Sequence, residues 1–202
     1  MKPMLLGKSE TLTLDDEWSL ELKFDGIRAI LTHDVSTRIE TRNEKDITVS
    51  FPEIAEESAG AFGADRVMLD GEIIGFDGRG IHKLNYVQHR LGVTDPDKII
   101  ARQKSFPVVF VAFDVLHVKG KSVMRRPLRE RRELLRQLLP PTLPHIVKAQ
   151  IYPVSSMDSL WDFVQDNNLE GLVAKRDASK YSPGTRSPQW LKIKHQKMRW
   201  RQ

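Results

Sequence analysis

The stretch that most constrains this chain is Leu20-Glu21-Leu22-Lys23-Phe24-Asp25-Gly26-Ile27-Arg28-Ala29-Ile30. Apolar and polar residues alternate through Trp18, Leu20 and Leu22, which is the period of a half-buried strand. After Gly26, Ile27, Ala29 and Ile30 begin a second strand. Lys23 thus stands at the mouth of a strand–turn–strand unit, with Asp25, Gly26 and Arg28 around it. A lysine held among like charges has its pKa lowered, and the neutral amine is a nucleophile. The same residues also fit an ordinary hairpin, because Asp-Gly is a strong turn signal and the tip is charged. Taken alone, the segment favours the hairpin.

At 202 residues the chain is long enough for one sizeable core. A hydrophobic content of 40% with 29% charged residues describes a globular protein rather than a disordered one. No apolar run approaches the roughly 20 residues of a membrane span, and the apolar segment after Lys2 is too short for a signal peptide. Zero cysteines exclude disulfides, thiolate metal sites and cysteine nucleophiles. A cytoplasmic protein, nucleoid-associated if prokaryotic, is the simplest fit. The formal charge of +5 is compatible with a polyanionic partner. Its distribution says more: residues 119–136 carry Lys119, Lys121, Arg125, Arg126, Arg129, Arg131, Arg132 and Arg136 against only Glu130 and Glu133. The last residues carry Lys192, Lys194, Lys197, Arg199 and Arg201 with no acid among them.

In chain order, residues 17–42 read as two or three strands, and Pro52 opens a helix to about Ala59 that Gly60 and Gly63 end. Val67 to Phe76 reads as a buried strand interrupted by Asp70-Gly71-Glu72, acids that need partners or a task there. Asp77-Gly78-Arg79-Gly80 is a turn, and Lys83 to Leu91 fits a helix. Pro107 to Leu116 is the clearest buried strand. Pro127 starts an amphipathic helix to Leu139, with Leu128, Leu134, Leu135 and Leu138 facing inward. Ile146 to Ile151 is a short strand, Ser156 caps a helix closed by Asn167-Asn168, and Leu169–Lys175 and Gln189–Lys194 return to strand. Strands with interspersed helices and no regular alternation indicate an α+β fold with mainly antiparallel sheets.

Each charged or aromatic feature has an ordinary reading when taken singly. Glu72 can end a strand, Phe113 can be core, Glu170-Gly171 can be a turn, and Lys192 and Lys194 can form a solvated strand face. Their order is more specific. Lys23-Phe24-Asp25-Gly26-Ile27-Arg28, Asp70-Gly71-Glu72, Phe113-Asp114, Glu170-Gly171-Leu172-Val173-Ala174-Lys175 and Trp190-Leu191-Lys192-Ile193-Lys194 follow one another from Glu21 to Lys194. That series resembles motifs I, III, IIIa, IV and V of the covalent nucleotidyltransferases, which comprise DNA ligases, RNA ligases and mRNA capping enzymes. Arg42-Asn43 and the run from Lys175 to Ser187 resemble the ATP-dependent DNA ligases in particular.

The resemblance implies an adenylation-domain architecture, ATP-grasp-like: two mainly antiparallel β-sheets flanked by helices, with a nucleotide cleft between them. It implies a ligase that uses ATP as AMP donor, with Mg²⁺ or Mn²⁺, to seal nicked double-stranded DNA in repair, recombination or replication. By motif position Lys23 is the nucleophile, and Lys192 and Lys194 neutralise charge on the α-phosphate. Glu21 lies near the adenine and Phe113 stacks on it. Glu72 accepts from the ribose or helps to hold a metal, and Glu170 binds the metal. Arg28 and Arg42 contact the nucleotide or the 5′-phosphate of the nick. Lys180 and Arg186 are the better candidates for DNA contacts, whereas the 125–136 helix reads equally well as an exposed charged face.

On the same resemblance, residues 1–202 form the nucleotidyltransferase domain, and the C-terminal oligonucleotide-binding (OB-fold) barrel is absent from this chain. A monomer is expected, partnered by a separate OB-fold domain or a repair protein. Two alternatives stand beside this reading: an RNA ligase or capping-type enzyme on the same core, and a non-catalytic nucleic-acid-binding module that keeps the fold.

Overall fold

The computed structural model describes residues 1–7, 13–76, 80 and 82–194. In chain order its elements are β1 (Leu5–Gly7), β2 (Trp18–Leu22), β3 (Ile27–His33), β4 (Thr37–Thr41), α1 (Pro52–Phe62), β5 (Val67–Gly75), α2 (Leu84–Gln88) and α3 (Pro96–Ser105). There follow β6 (Val108–Val118), β7 (Lys121–Ser122), α4 (Leu128–Leu138), β8 (Ile146–Lys148), β9 (Tyr152–Pro153), α5 (Met157–Asp166), β10 (Gly171–Arg176) and β11 (Arg186–Lys194). One sheet runs β1-β11-β10-β2-β9 and the other β4-β3-β5-β6-β7, with β8 on β6. Only the β1–β11 and β6–β8 pairs are parallel among the named pairings. The α+β fold with two mainly antiparallel sheets is therefore the architecture observed.

Three apolar clusters hold it together. Leu31, Ile73 and Phe110 of the second sheet pack with Ile54 and Phe62 of α1 and Leu135 of α4. On the first sheet, Leu20, Leu172 and Ile193 pack against Leu160, Trp161 and Val164 of α5. A third cluster draws on both sheets, joining Ile30, Phe113 and Leu116 to Trp190, with Met4, Leu128 and Tyr181. Each such side chain, fully buried, contributes about 1.5–3 kcal/mol relative to exposure.

The expected hairpin around Lys23 is not there. β2 lies between β10 and β9, whereas β3 lies between β4 and β5, so residues 23–26 cross from one sheet to the other. Each strand is paired along its full length elsewhere: β2 pairs from Trp18 to Leu22 with Arg176 to Leu172, and β3 pairs along its whole length with β5. Gly26 serves close approach rather than a hairpin turn. A Cβ there would lie 2.2 Å from the Ile73 carbonyl oxygen and 2.9 Å from Ile74 Cγ2.

The acids inside the central strands find partners. β5 runs unbroken through Asp70-Gly71-Glu72, with a shift in register against β6 between Asp70 and Gly71. Asp70 and Asp114, both fully buried, each receive a two-pronged arginine: Arg28 at 2.6 and 2.7 Å, and Arg131 at 2.8 and 2.7 Å. Such forks satisfy both carboxylate oxygens at once. The inward face of α4 consequently differs from expectation. Leu128, Arg131, Arg132 and Leu135 are buried, and Leu134 and Leu138 only partly so.

Boundaries shift elsewhere. α1 continues past Gly60 to Phe62, α2 stops at Gln88, and the Ser156 side chain makes no cap on α5. Helix α3 had no counterpart in the periodicity. Its start is nonetheless written locally, since the Asp95 carboxylate accepts from the Asp97 and Lys98 amides and Pro96 occupies the first turn. The turn expected over residues 77–79 and the basic residues Lys197, Arg199 and Arg201 lie outside the described residues.

Replacing Arg131 with Met leaves the Asp114 carboxylate buried without its cation, and removing one partner of a buried pair costs about 3–5 kcal/mol. Equilibrium urea unfolding of Arg131→Met checks this, and a loss below about 1 kcal/mol would contradict the role given to the pair.

Candidate active site

The site is assembled where three strand ends of the first sheet meet. Leu22 pairs with Leu172, and Gly171 pairs with Lys194. The end of β2, the start of β10 and the end of β11 therefore share one edge. The Lys23 amide donates to the Gly171 carbonyl at 2.9 Å. Lys23 Nζ donates to Glu170 Oε2 at 2.6 Å, and Lys194 Nζ approaches Glu170 Oε1 at 2.9 Å. One carboxylate thus holds two lysines that come from opposite ends of the chain.

Gly171 makes this junction possible. Its φ is +140°, and a Cβ would lie 2.0 Å from the Ile193 carbonyl oxygen. Burial would raise the Glu170 carboxyl, but hydrogen bonds from Lys23 and Lys194 carry it below the ordinary glutamate value. The like-charge setting expected for Lys23 is accordingly corrected: its near neighbour is a carboxylate. Lys192, half-buried, lies two residues before Lys194 on the same face of β11 and opposite Val173.

Beyond the crossover the second sheet supplies Arg28 and Glu72, which face each other across β3 and β5. Arg28 is held by Asp70, donates to the Met4 carbonyl at 3.2 Å, and sits with its guanidinium 4.5 Å from the centroid of the Phe113 ring. Tyr181 donates to the same Asp70 at 2.6 Å. Burial pushes the Glu72 carboxyl up to about 7, with Arg28 and Lys23 opposing. Arg42 is exposed one residue past Thr41, which pairs with Ala29. Lys180 and Arg186 are exposed after β10 and at the start of β11, and the Arg186 guanidinium donates to the Leu6 carbonyl.

Glu21 and Phe113 line a cavity of about 610 Å³, together with Arg132, Asp177, Lys148 and Ala149. That size falls among ligand pockets, which span about 300–1,000 Å³. Glu21 is 2% exposed and accepts from Arg132 Nη2 through Oε1 and from Lys175 Nζ through Oε2, both at 2.6 Å. Burial alone would raise its carboxyl, but Lys175 and Arg132 carry it below the ordinary value. Burial also pulls the Lys175 ammonium down to about 8, Glu21 opposing and Arg132 adding to the effect. Phe113 is 7% exposed, and Lys175 Nζ sits 4.1 Å from its ring centroid. Two cations therefore occupy the ring that the motif order assigns to a base.

Three residues of the site were given no role there by the sequence. Arg132 carried a usable signal, because with Leu128 and Leu135 it falls on one helical face. Lys175 lies in the β10 run, and its position over Phe113 and Trp190 appears only with the sheets assembled. His82 accepts the Asp25 amide through Nδ1 at 3.2 Å and lies edge-on to Phe24, bracing the crossover from across 57 residues. No local pattern announces that contact.

Glu21 also makes stability depend on pH. Its folded pKa lies below the unfolded value of 4.5, so the unfolded state binds more protons and stability rises with pH across that window. Glu21→Gln should cost about 3–5 kcal/mol near neutrality, where two buried cations lose their anion. The difference between wild type and variant should shrink as pH falls below about 4.5, the ordinary glutamate value, through the lowered native one. Urea unfolding at a series of pH values reads it, and a difference that stays constant down to acid pH would contradict the ionised assignment.

A family model described as the ATP dependent DNA ligase domain matches residues 3–194. The chain is 29% identical over 198 residues to the SPbeta prophage-derived DNA ligase-like protein LigB of Bacillus subtilis (strain 168), covering 96% of this chain and 67% of that protein. It is 31% identical over 208 residues to the bifunctional non-homologous end joining protein LigD of the same organism, covering 96% of this chain and 34% of that one. The solved structure of mycobacterial DNA ligase D complexed with ATP and MES matches with a TM-score of 0.77 at 26% identity, over 96% of this chain and 60% of that chain. The chain accordingly spans about a third of the end-joining relative's length. With the motif order, the two-sheet fold and a family match over nearly its whole length, the chain belongs to the ATP-dependent DNA ligase domain family.

Proposed function

We propose that this chain carries the nucleotidyl-transfer site of an ATP-dependent DNA ligase. Lys23 Nζ, its proton passed to solvent, attacks the α-phosphorus of ATP; the N–P bond forms, the bond from the α-phosphorus to the oxygen that bridges to the β-phosphate breaks, and pyrophosphate leaves. The lysyl-AMP then passes its AMP to the 5′-phosphate of a nick in double-stranded DNA, and the 3′-hydroxyl displaces AMP to join the strands. The observation that carries this reading is the Glu170 carboxylate, which holds Lys23 and Lys194 on its two oxygens. A nucleophile and a phosphate-binding cation are thereby set side by side, the preorganisation that transfer at phosphorus requires.

The remaining residues take roles that their surroundings support. Lys192 and Lys194 meet the charge that builds on the α-phosphate. Glu21 faces the base, Phe113 offers its ring to it once a cation gives way, and Glu72 serves the ribose hydroxyls. Arg28 is held against Asp70, so it acts as a fixed positive charge at the cleft wall. The exposed cations Arg42, Lys180 and Arg186 suit DNA phosphates, whose neutralisation is salt-dependent.

A Mg²⁺ ion takes one or two carboxylates and fills its shell with phosphate oxygens and water. Glu170 and Glu72, the latter within reach of the charge of the former, are donors of that kind. Among the described residues there is no cluster of three acids or histidines that would cage a metal without substrate. When bound, the ion would neutralise phosphate charge.

Incubation with ATP labelled at the α-phosphate, Mg²⁺ and the chain should leave one acid-labile label on Lys23, located by peptide mass spectrometry. Lys23→Ala should abolish it, and Lys194→Ala should slow its appearance by about 10²–10³-fold, the scale of losing one electrostatic donor at a transition state. No label, with or without an OB-fold domain added, would overturn the proposal.

A further inference from the structure

We infer that Arg132 is the positioning residue through which this site distinguishes adenine from guanine, by holding Glu21 as a fixed, ionised acceptor at the wall of the 610 Å³ cavity. The inference rests on the reading of that cavity as the seat of the nucleotide base, and it concerns a residue of α4 that lies outside all five motifs.

The geometry is a clamp in three directions. Arg132 Nη2 donates to Glu21 Oε1 at 2.6 Å, while Nη1 donates to Ser19 Oγ at 2.5 Å and to Asp177 Oδ1 at 2.9 Å. Ser19 Oγ itself donates to Asp177 Oδ1 at 2.7 Å. The guanidinium is 9% exposed as part of its residue, and its Nε has no hydrogen-bond partner. Its position is therefore set by what it grips, which is β2 on one side and Asp177, the residue after β10, on the other. The second anchor, Lys175 Nζ, takes the other oxygen of Glu21.

The chemistry follows from counting lone pairs. An ionised carboxylate is acceptor-only, with about four acceptor positions on its two oxygens. The two cations use one position on each oxygen, and what remains can only accept. Adenine presents an amine at C6 and guanine a carbonyl oxygen at the same place. An anionic acceptor at a fixed point therefore binds the first and repels the second. Polar sites of this kind discriminate strongly, because the wrong partner leaves buried groups unpaired. A Glu21 free to rotate or to take up a proton would lose that preference, since a protonated carboxyl can also donate.

The test compares label transfer from ATP and GTP, each labelled at the α-phosphate, to the full chain and its variants. Wild type should favour ATP. Arg132→Met should lower the ATP:GTP ratio of kcat/KM by tenfold or more, mainly by raising KM for ATP, and Arg132→Lys should restore part of it. Asp177→Asn, which loosens the clamp from its half-buried end without touching Glu21, should move the ratio in the same direction by a smaller factor. It decides the matter, with Arg132→Lys, if Arg132→Met fails to unfold cooperatively. Folded variants that keep the wild-type ratio would overturn the inference while leaving the site's activity intact. A wild type that labels from both nucleotides equally would also overturn it. A wild type that labels from neither would overturn the underlying reading of the site as well.

Discussion

Glu170 holds Lys23 and Lys194 on one carboxylate, and much of the architecture exists to let it do so. The three residues stand at strand ends that meet only because β2, β10 and β11 are neighbours with aligned registers. Gly171 lets β10 come close enough to β11 for the contact, in a backbone conformation that a side chain would strain. Gly26 then lets the chain leave Lys23 directly for the second sheet. The crossover segment that carries Lys23 is thus fastened on one side by the Gly171 carbonyl and braced on the other by His82.

Behind this edge the interior is organised by paired charges. Arg28 with Asp70, Arg131 with Asp114, and Glu21 between Arg132 and Lys175 are all buried or nearly so. Pairs of this type recover little net energy over apolar packing, because desolvation opposes the attraction, but each is costly to break from one side. Their effect is to select one arrangement. Arg131 fixes α4 against the second sheet through Asp114, and Arg132, its neighbour in sequence, reaches the first sheet through Glu21 and Ser19. One helix turn therefore ties together the two walls of the cavity.

The order of the motifs was legible from the residues themselves. Lys23, Glu72, Phe113, Glu170, Lys192 and Lys194 fall within motifs whose order resembles that of the covalent nucleotidyltransferases, and alternation along β2 and β11, with the apolar run of β6, announced strands. Helix α3 was passed over by apolar periodicity, although Asp95 and Pro96 carry a local start signal. The hairpin at Asp25-Gly26 was misread because a turn signal describes local backbone preference. Whether two strands pair is decided by the ladders each forms elsewhere. The inward face of α4 was misread for a related reason: arginine counts as polar until a buried acid is found opposite it.

What the sequence determined by itself was the class of fold, the order of the motifs and most of the strands and helices that carry them. Composition and periodicity are local properties, and the order of motifs is a property of the chain alone. Only the tertiary structure decided which charges meet. Glu170 lies 147 residues from Lys23, and Glu21 lies 154 from Lys175 and 111 from Arg132. A hydrogen bond depends on distances of a few ångströms, and those distances are set by sheet order and register, which no window along the chain contains.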